Sequence, residues 1–199
     1  SKKEGGLTMA TIDHLIPKII KWETSVTGQG LSNEQLFEKA RQKGYANQKY
    51  DRGGATMVGV TIATFTAYRK KKGFKTTTVD DLKKMDFKTW RDLLKTMFWD
   101  KWKADEIRNQ SMAELVVDWY WGSGIWGVKN PQQCLGVPND GIVGAQTIKA
   151  INSCDQKAMF TKIWKRRRNF YYSIVAHDST QRIYLKGWLK RLNDQKYEA

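Results

Sequence analysis

Glu23 closes an apolar stripe. Ile16, Ile19 and Ile20 precede it by seven, four and three positions, so on a helix its side chain continues their face while Lys21 points elsewhere. A carboxylate at the end of such a stripe loses part of its hydration. Partial dehydration disfavours the ionised form, and a retained proton is what a general acid needs. The bland alternative is a solvated helix-end carboxylate. A second group is Asp51-Arg52-Gly53-Gly54-Ala55-Thr56-Met57-Val58-Gly59-Val60-Thr61. Its glycines permit a tight turn and close backbone approach, and Asp51 and Thr56 bracket the turn so that both can face one cleft with the end of the Glu23 helix. The same pattern also fits a purely structural turn with Asp51 as its local acceptor. No Gly-Lys-Ser/Thr follows, so it is not a phosphate-binding loop.

Other chemistries have little support. Cys134 and Cys154 are isolated, with no second Cys or His at a metal-ligand spacing, and His14 and His177 are isolated too. We therefore expect two buried thiols, with a disulfide left open, no metal site and no cofactor. Thirty-five basic against twenty acidic residues give a net charge of +15, which points to an anionic partner: nucleic acid, acidic lipid or bacterial cell wall. The run Lys165-Arg166-Arg167-Arg168 lies on a helix whose other face carries Phe160, Ile163 and Trp164, so it reads as a solvated face and no specific nucleic acid is expected. No stretch reaches the ~18 apolar residues of a transmembrane helix. The opening Ser1-Lys2-Lys3-Glu4-Gly5-Gly6 lacks the apolar core of a signal peptide.

The elements that must hold Glu23 and the glycine segment read as almost entirely helical. Hydrophobic residues at 40% and charged residues at 28% are globular values. Helices are predicted over 11–23, 32–43, 61–72, 80–85, 86–97, 111–121, 144–151, 158–175 and 181–192. Pro17 sits badly inside the first, so that helix is expected to begin there. Ser32 with Gln35 has capping-box spacing. The alternation of Thr56, Val58, Val60 and Ile62 is the one strand signal. A glycine-rich break is expected at 122–127, followed by a turn at Val137-Pro138-Asn139-Asp140-Gly141. Trp119 reads as core, whereas Trp121 and Trp126, beside the break, suit a groove for sugar rings, whose apolar faces stack on indoles.

The end of a helix in Glu23, followed by the Asp51–Thr61 segment, resembles the N-terminal part of glycoside hydrolase family 108, bacterial and phage N-acetylmuramidases some of which have been labelled secretion activators. The second half resembles the peptidoglycan-binding module that accompanies it, through Gln133-Cys134-Leu135-Gly136-Val137, Asp140 to Thr147, Arg168-Asn169-Phe170-Tyr171 and Lys186 to Arg191. The resemblance implies a mainly α fold: a lysozyme-like part over 7–110, with an insertion near 24–50, packed as one unit against a helical peptidoglycan-binding-like part over 111–199. It implies a peptidoglycan hydrolase with Glu23 as general acid. Asp51 either stabilises an oxocarbenium-like transition state or activates water, Thr56 positions that water, and Tyr50, Trp121 and Trp126 contact the glycan. The expected partner is the peptidoglycan glycan strand, met by a monomer in the periplasm or outside the cell. Two departures stand out. Thr24-Ser25-Val26 follows Glu23 where the family has Gly-Gly-Tyr, and Glu23 and Asp51 are further apart than in the family. The extra segment, with the 32–43 helix, is expected to loop out. The alternative is a cell-wall-binding protein without catalysis.

Overall fold

The computed structural model describes residues 3–4, 7–47 and 54–199. A short hairpin, β1 (Lys3–Glu4) and β2 (Leu7–Thr8), comes first, followed by α1 (Ile12–Thr24) and α2 (Asn33–Arg41). A small antiparallel sheet, β3 (Tyr45–Ala46), β4 (Thr56–Met57) and β5 (Val60–Thr61), follows in that strand order. Then come α3 (Ile62–Lys71), α4 (Val79–Lys83), α5 (Phe87–Leu94), α6 (Gln110–Ser123), α7 (Trp126–Leu135), α8 (Ala145–Ser153), α9 (Gln156–His177) and α10 (Arg182–Asn193). The fold is mainly α. It forms two compact units: Ile12–Met97, and Phe98–Ala199 together with the chain's start up to Thr11.

In the first unit α1 buries Ile12, Leu15, Ile16, Ile19 and Ile20, the stripe legible in the sequence. It does not begin at Pro17. The helix starts at Ile12, and Pro17 lies in its second turn. Proline has no N–H for the carbonyl four residues back, which is that of Asp13. Asn33 Nδ2 donates to this oxygen at 2.9 Å instead, so the helix passes through the proline without stranding an acceptor. The Ser32–Gln35 capping box is present. Nor does α2 loop out: Leu36, Phe37 and Ala40 are buried, and the Phe37 ring lies 5.5 Å from Trp90 and 5.7 Å from Phe87. Thr61, Thr78 and Asp86 cap α3, α4 and α5.

In the second unit α6 is the central helix, buried continuously from Ser111 to Trp119. The expected glycine-rich break is only two residues, Gly124, at φ +59, and Ile125. Gly122 belongs to α6 and Gly127 to α7, a helix the sequence reading omits. A Cβ at Gly127 would lie 2.4 Å from the backbone nitrogen of Tyr120, so this glycine permits close crossing of α6 and α7. Fully buried Gln132 holds the 140–142 turn, accepting from the Gly141 N–H at 3.0 Å and donating to the Ile142 carbonyl at 3.0 Å.

The basic run on α9 is only partly a solvated face. Arg167 is 1% exposed because it continues the Phe160–Ile163 stripe at helical spacing. Its Nη2 donates to Asp118 Oδ2 at 2.6 Å, its Nη1 to the Leu115 carbonyl and its Nε to Tyr171 Oη. Arg191 Nη2 meets the other Asp118 oxygen at 2.6 Å. Burial alone would raise the Asp118 carboxyl, but the Arg191 and Arg167 guanidiniums outweigh it and hold it at about 2. This ion cluster ties α6 to α9 and α10. Cys134 and Cys154 are free thiols, one buried and one half-buried; burial pushes both up and keeps them protonated.

Candidate active site

Glu23 lies in the last turn of α1, half-buried. The helix stops just beyond it. Thr24 turns its hydroxyl back onto the Ile20 carbonyl at 2.7 Å, and Ser25 adopts a left-handed conformation at φ +61 while its N–H still reaches the Lys21 carbonyl. Val26 then dives into the core.

The surface facing the Glu23 side chain is the tip of the β4–β5 hairpin. Thr56 pairs with Thr61 and Met57 with Val60, which leaves Val58 and Gly59 as the turn. Both have positive φ, +43 and +77, the conformation that matches the twist of a two-residue hairpin. The alternating run read as one strand is therefore two short strands. A β-branched residue at positive φ is strained, and three contacts hold it there. The Val58 N–H donates to the Gly44 carbonyl at 2.9 Å, the Val58 carbonyl accepts from buried Trp90 Nε1 at 3.0 Å, and the Val58 side chain is fully buried. Gly44 has no room for a side chain, since a Cβ there would lie 2.8 Å from Val58 Cγ2.

Gly59 completes the arrangement. A Cβ at this position would sit 2.5 Å from both Cγ and Cδ of Glu23 and 2.8 Å from Oε2. The Glu23 carboxyl thus rests directly on the glycine backbone, with one side shielded from water. Thr56 stands in the middle strand of the sheet, paired with Ala46 on one side and Thr61 on the other. It is half-exposed while Met57 beside it is buried, as strand alternation requires. The structure therefore brings Glu23 onto the hairpin whose first strand carries Thr56. Asp51 and Tyr50 lie outside the described residues.

Trp121 and Trp126 belong to the second unit. Trp121 is half-buried with its ring 4.9 Å from Phe98, and Trp126 is 52% exposed with Lys129 Nζ 5.8 Å from its centroid. Among the described residues, no group of three or more His, Cys, Asp and Glu is placed to hold a metal ion, and no helix is long and apolar enough to cross a membrane. The roles of Gly44, Val58 and Trp90 in seating the turn escape the sequence reading. The Val58-Gly59 dipeptide between apolar residues is the signal that points to the hairpin, weakened because valine stands where asparagine is usual.

Two family matches follow this architecture. Residues 38–124 match glycosyl hydrolase 108, and residues 126–193 match the family described as a predicted peptidoglycan domain. This chain carries a glycosyl hydrolase 108 domain and is a glycoside hydrolase. The hydrolase match opens within α2, spans the hairpin with Thr56 and ends at the end of α6; α1 and Glu23 precede it. The fold is similar to the structure of Brucella abortus SagA, with a TM-score of 0.65 and 25% identity over 79% of this chain and 90% of that one. No curated protein sequence matches the chain. The boundary between the two matches falls beside Gly124, yet Asp118 on one side of it is ion-paired to Arg167 and Arg191 on the other.

Proposed function

We propose that this glycoside hydrolase is an N-acetylmuramidase, cutting the β-1,4 bond between N-acetylmuramic acid and N-acetylglucosamine in peptidoglycan. The observation that carries the reading is the seat of the Glu23 carboxyl on Gly59, at the tip of the hairpin that carries Thr56. Glu23 delivers a proton to the departing glycosidic oxygen. Its carboxyl is half-buried and backed by bare backbone, so its open side is the side left for substrate. Asp51 acts on the developing positive charge at the sugar or on the attacking water, and Thr56 orients that water. Tyr50, Trp121 and Trp126 supply aromatic surface to the sugar rings. The hydrolase match over Asp51 and Thr56 supports these assignments, and the predicted peptidoglycan domain supports the wall as substrate. Glu23 rests on the geometry.

The direct test is clearing of purified cell walls. The wild-type chain is expected to lower turbidity, while Glu23→Gln, with an unchanged circular dichroism spectrum, is expected to leave the walls intact. Clearing by the variant at the wild-type rate would remove Glu23 from the acid role.

A further inference from the structure

Immediately past Glu23 the surface opens into a groove. Its near end, about 410 Å³, is lined by Ser25, Val26 and Thr27 from the α1 exit and by Lys39, Gln42 and Lys43 from α2. Its far end, about 540 Å³, shares Lys39 and Gln42 and runs back along α2 past Glu38 and Gln35 to Glu34. The groove follows one face of α2, where 35, 38, 39 and 42 lie at helical spacing, opposite the buried Leu36, Phe37 and Ala40.

The charges along this groove are sorted. Lys39 and Lys43 stand exposed at the end nearest Glu23, and neither makes an ion pair with a described residue. Glu38 follows next to Lys39, loosely paired to Arg41 at 3.9 Å, and Glu34 stands at the far end. Ser25, Thr27 and Gln42 add hydroxyl and amide groups to the end that the lysines line. A ligand fitting this pattern carries carboxylates close to the cleaved sugar and an amine further away. From Glu34 to Gln42 the helix advances about 12 Å at 1.5 Å per residue, the reach of about four extended residues.

We infer that this groove is a subsite for the peptide attached to the glycan, with its carboxylates on Lys39 and Lys43 and its free amine toward Glu34 and Glu38. The inference rests on the muramidase reading, because the groove starts at the residues that follow Glu23. It explains why a helix packed firmly against α1 and α5 leaves its outer face lined with sorted charges. It also gives the chain a preference for peptide-bearing over bare glycan.

The test separates binding from cleavage. A disaccharide-tetrapeptide with free carboxylates is titrated into the isotopically labelled full chain and followed by amide shifts, then compared with the same compound amidated at its carboxylates. The free form should shift the amides of Lys39, Gln42 and Lys43 and bind about fivefold tighter than the amidated form, the order expected for two exposed charge pairs. The Lys39→Gln/Lys43→Gln variant should erase that preference. Equal affinity for both forms, or shifts confined to other surfaces, would overturn the inference. In cleavage assays the double variant should be slowed on intact peptidoglycan and unchanged on glycan chains stripped of peptide; equal slowing on both would also overturn it. Should the wild-type chain release no muropeptides at all, the muramidase reading fails, and the titration still decides the groove.

Discussion

Replacing Gly59 with alanine separates the two things this glycine does. The first is conformational. At φ +77 an L side chain costs about 1–2 kcal/mol, which for a chain of this size lowers the melting temperature by about 2–8 °C. The second is steric. The new Cβ would lie 2.5 Å from Cγ and Cδ of Glu23, whereas carbon atoms pack at about 3.5–4.0 Å, so the carboxyl must retreat by about 1 Å. A catalytic group displaced by that much loses about 10²-fold in rate, equivalent to about 2.7 kcal/mol of barrier. Gly73→Ala is the control. It has φ +93 with no atom within 4 Å of the added Cβ, so it carries the conformational penalty alone. Melting temperature and initial rate on purified walls would be measured for both. Similar losses of stability with a rate loss confined to Gly59→Ala are expected. A stably folded Gly59→Ala chain with the wild-type rate would refute the argument that Glu23 works from its seat on this turn.

Three further outcomes follow from the packing. Asp118 has a depressed carboxyl, so its ion pairs contribute fully above the unfolded value of about 3.9, and that contribution, about 2–3 kcal/mol, is lost as pH falls toward about 2. Chemical denaturation between pH 5 and 2 should show this loss in the wild type. Asp118→Asn, which strands two arginines, should already be about 3–5 kcal/mol less stable at neutral pH and should lack the acid step. Trp90→Phe removes the donor to the Val58 carbonyl and leaves a void; about 2–4 kcal/mol of stability and about tenfold in kcat should be lost with KM nearly unchanged, checked by denaturant titration and wall-hydrolysis kinetics. Asn33→Ala should cost about 0.5–1.5 kcal/mol in the wild type and less in a Pro17→Ala background, where residue 17 again has an N–H for the Asp13 carbonyl; a coupling energy of zero would contradict the rescue seen at that oxygen.

What was legible in the sequence were features set by neighbours along the chain. The α1 stripe and the Ser32–Gln35 box depend on residues within a turn or two, and the structure carries both. Long-range features were not legible. Arg167 reads as solvated within its own helix, because Asp118 and Leu115 lie 49 and 52 residues away in sequence. Helix α7 disappears behind Gly122, Gly124 and Gly127, since a glycine that ends a helix and one that lets two helices cross look alike until both helices are placed. Pro17 reads as a helix start unless the donor on Asn33 is known. At the candidate site, periodicity singles out Glu23 and the glycine-rich setting singles out Thr56. The contact between Glu23 and Gly59, and the strained Val58 turn beneath it, depend on packing that no local pattern encodes.

The reducing ends of the fragments released from peptidoglycan test the central claim most directly. After digestion of purified walls, borohydride reduction and mass spectrometry, the wild-type chain should yield muropeptides ending in reduced N-acetylmuramic acid, and Glu23→Gln should yield none. Fragments ending in reduced N-acetylglucosamine, or muramic ends released undiminished by Glu23→Gln, would contradict the account.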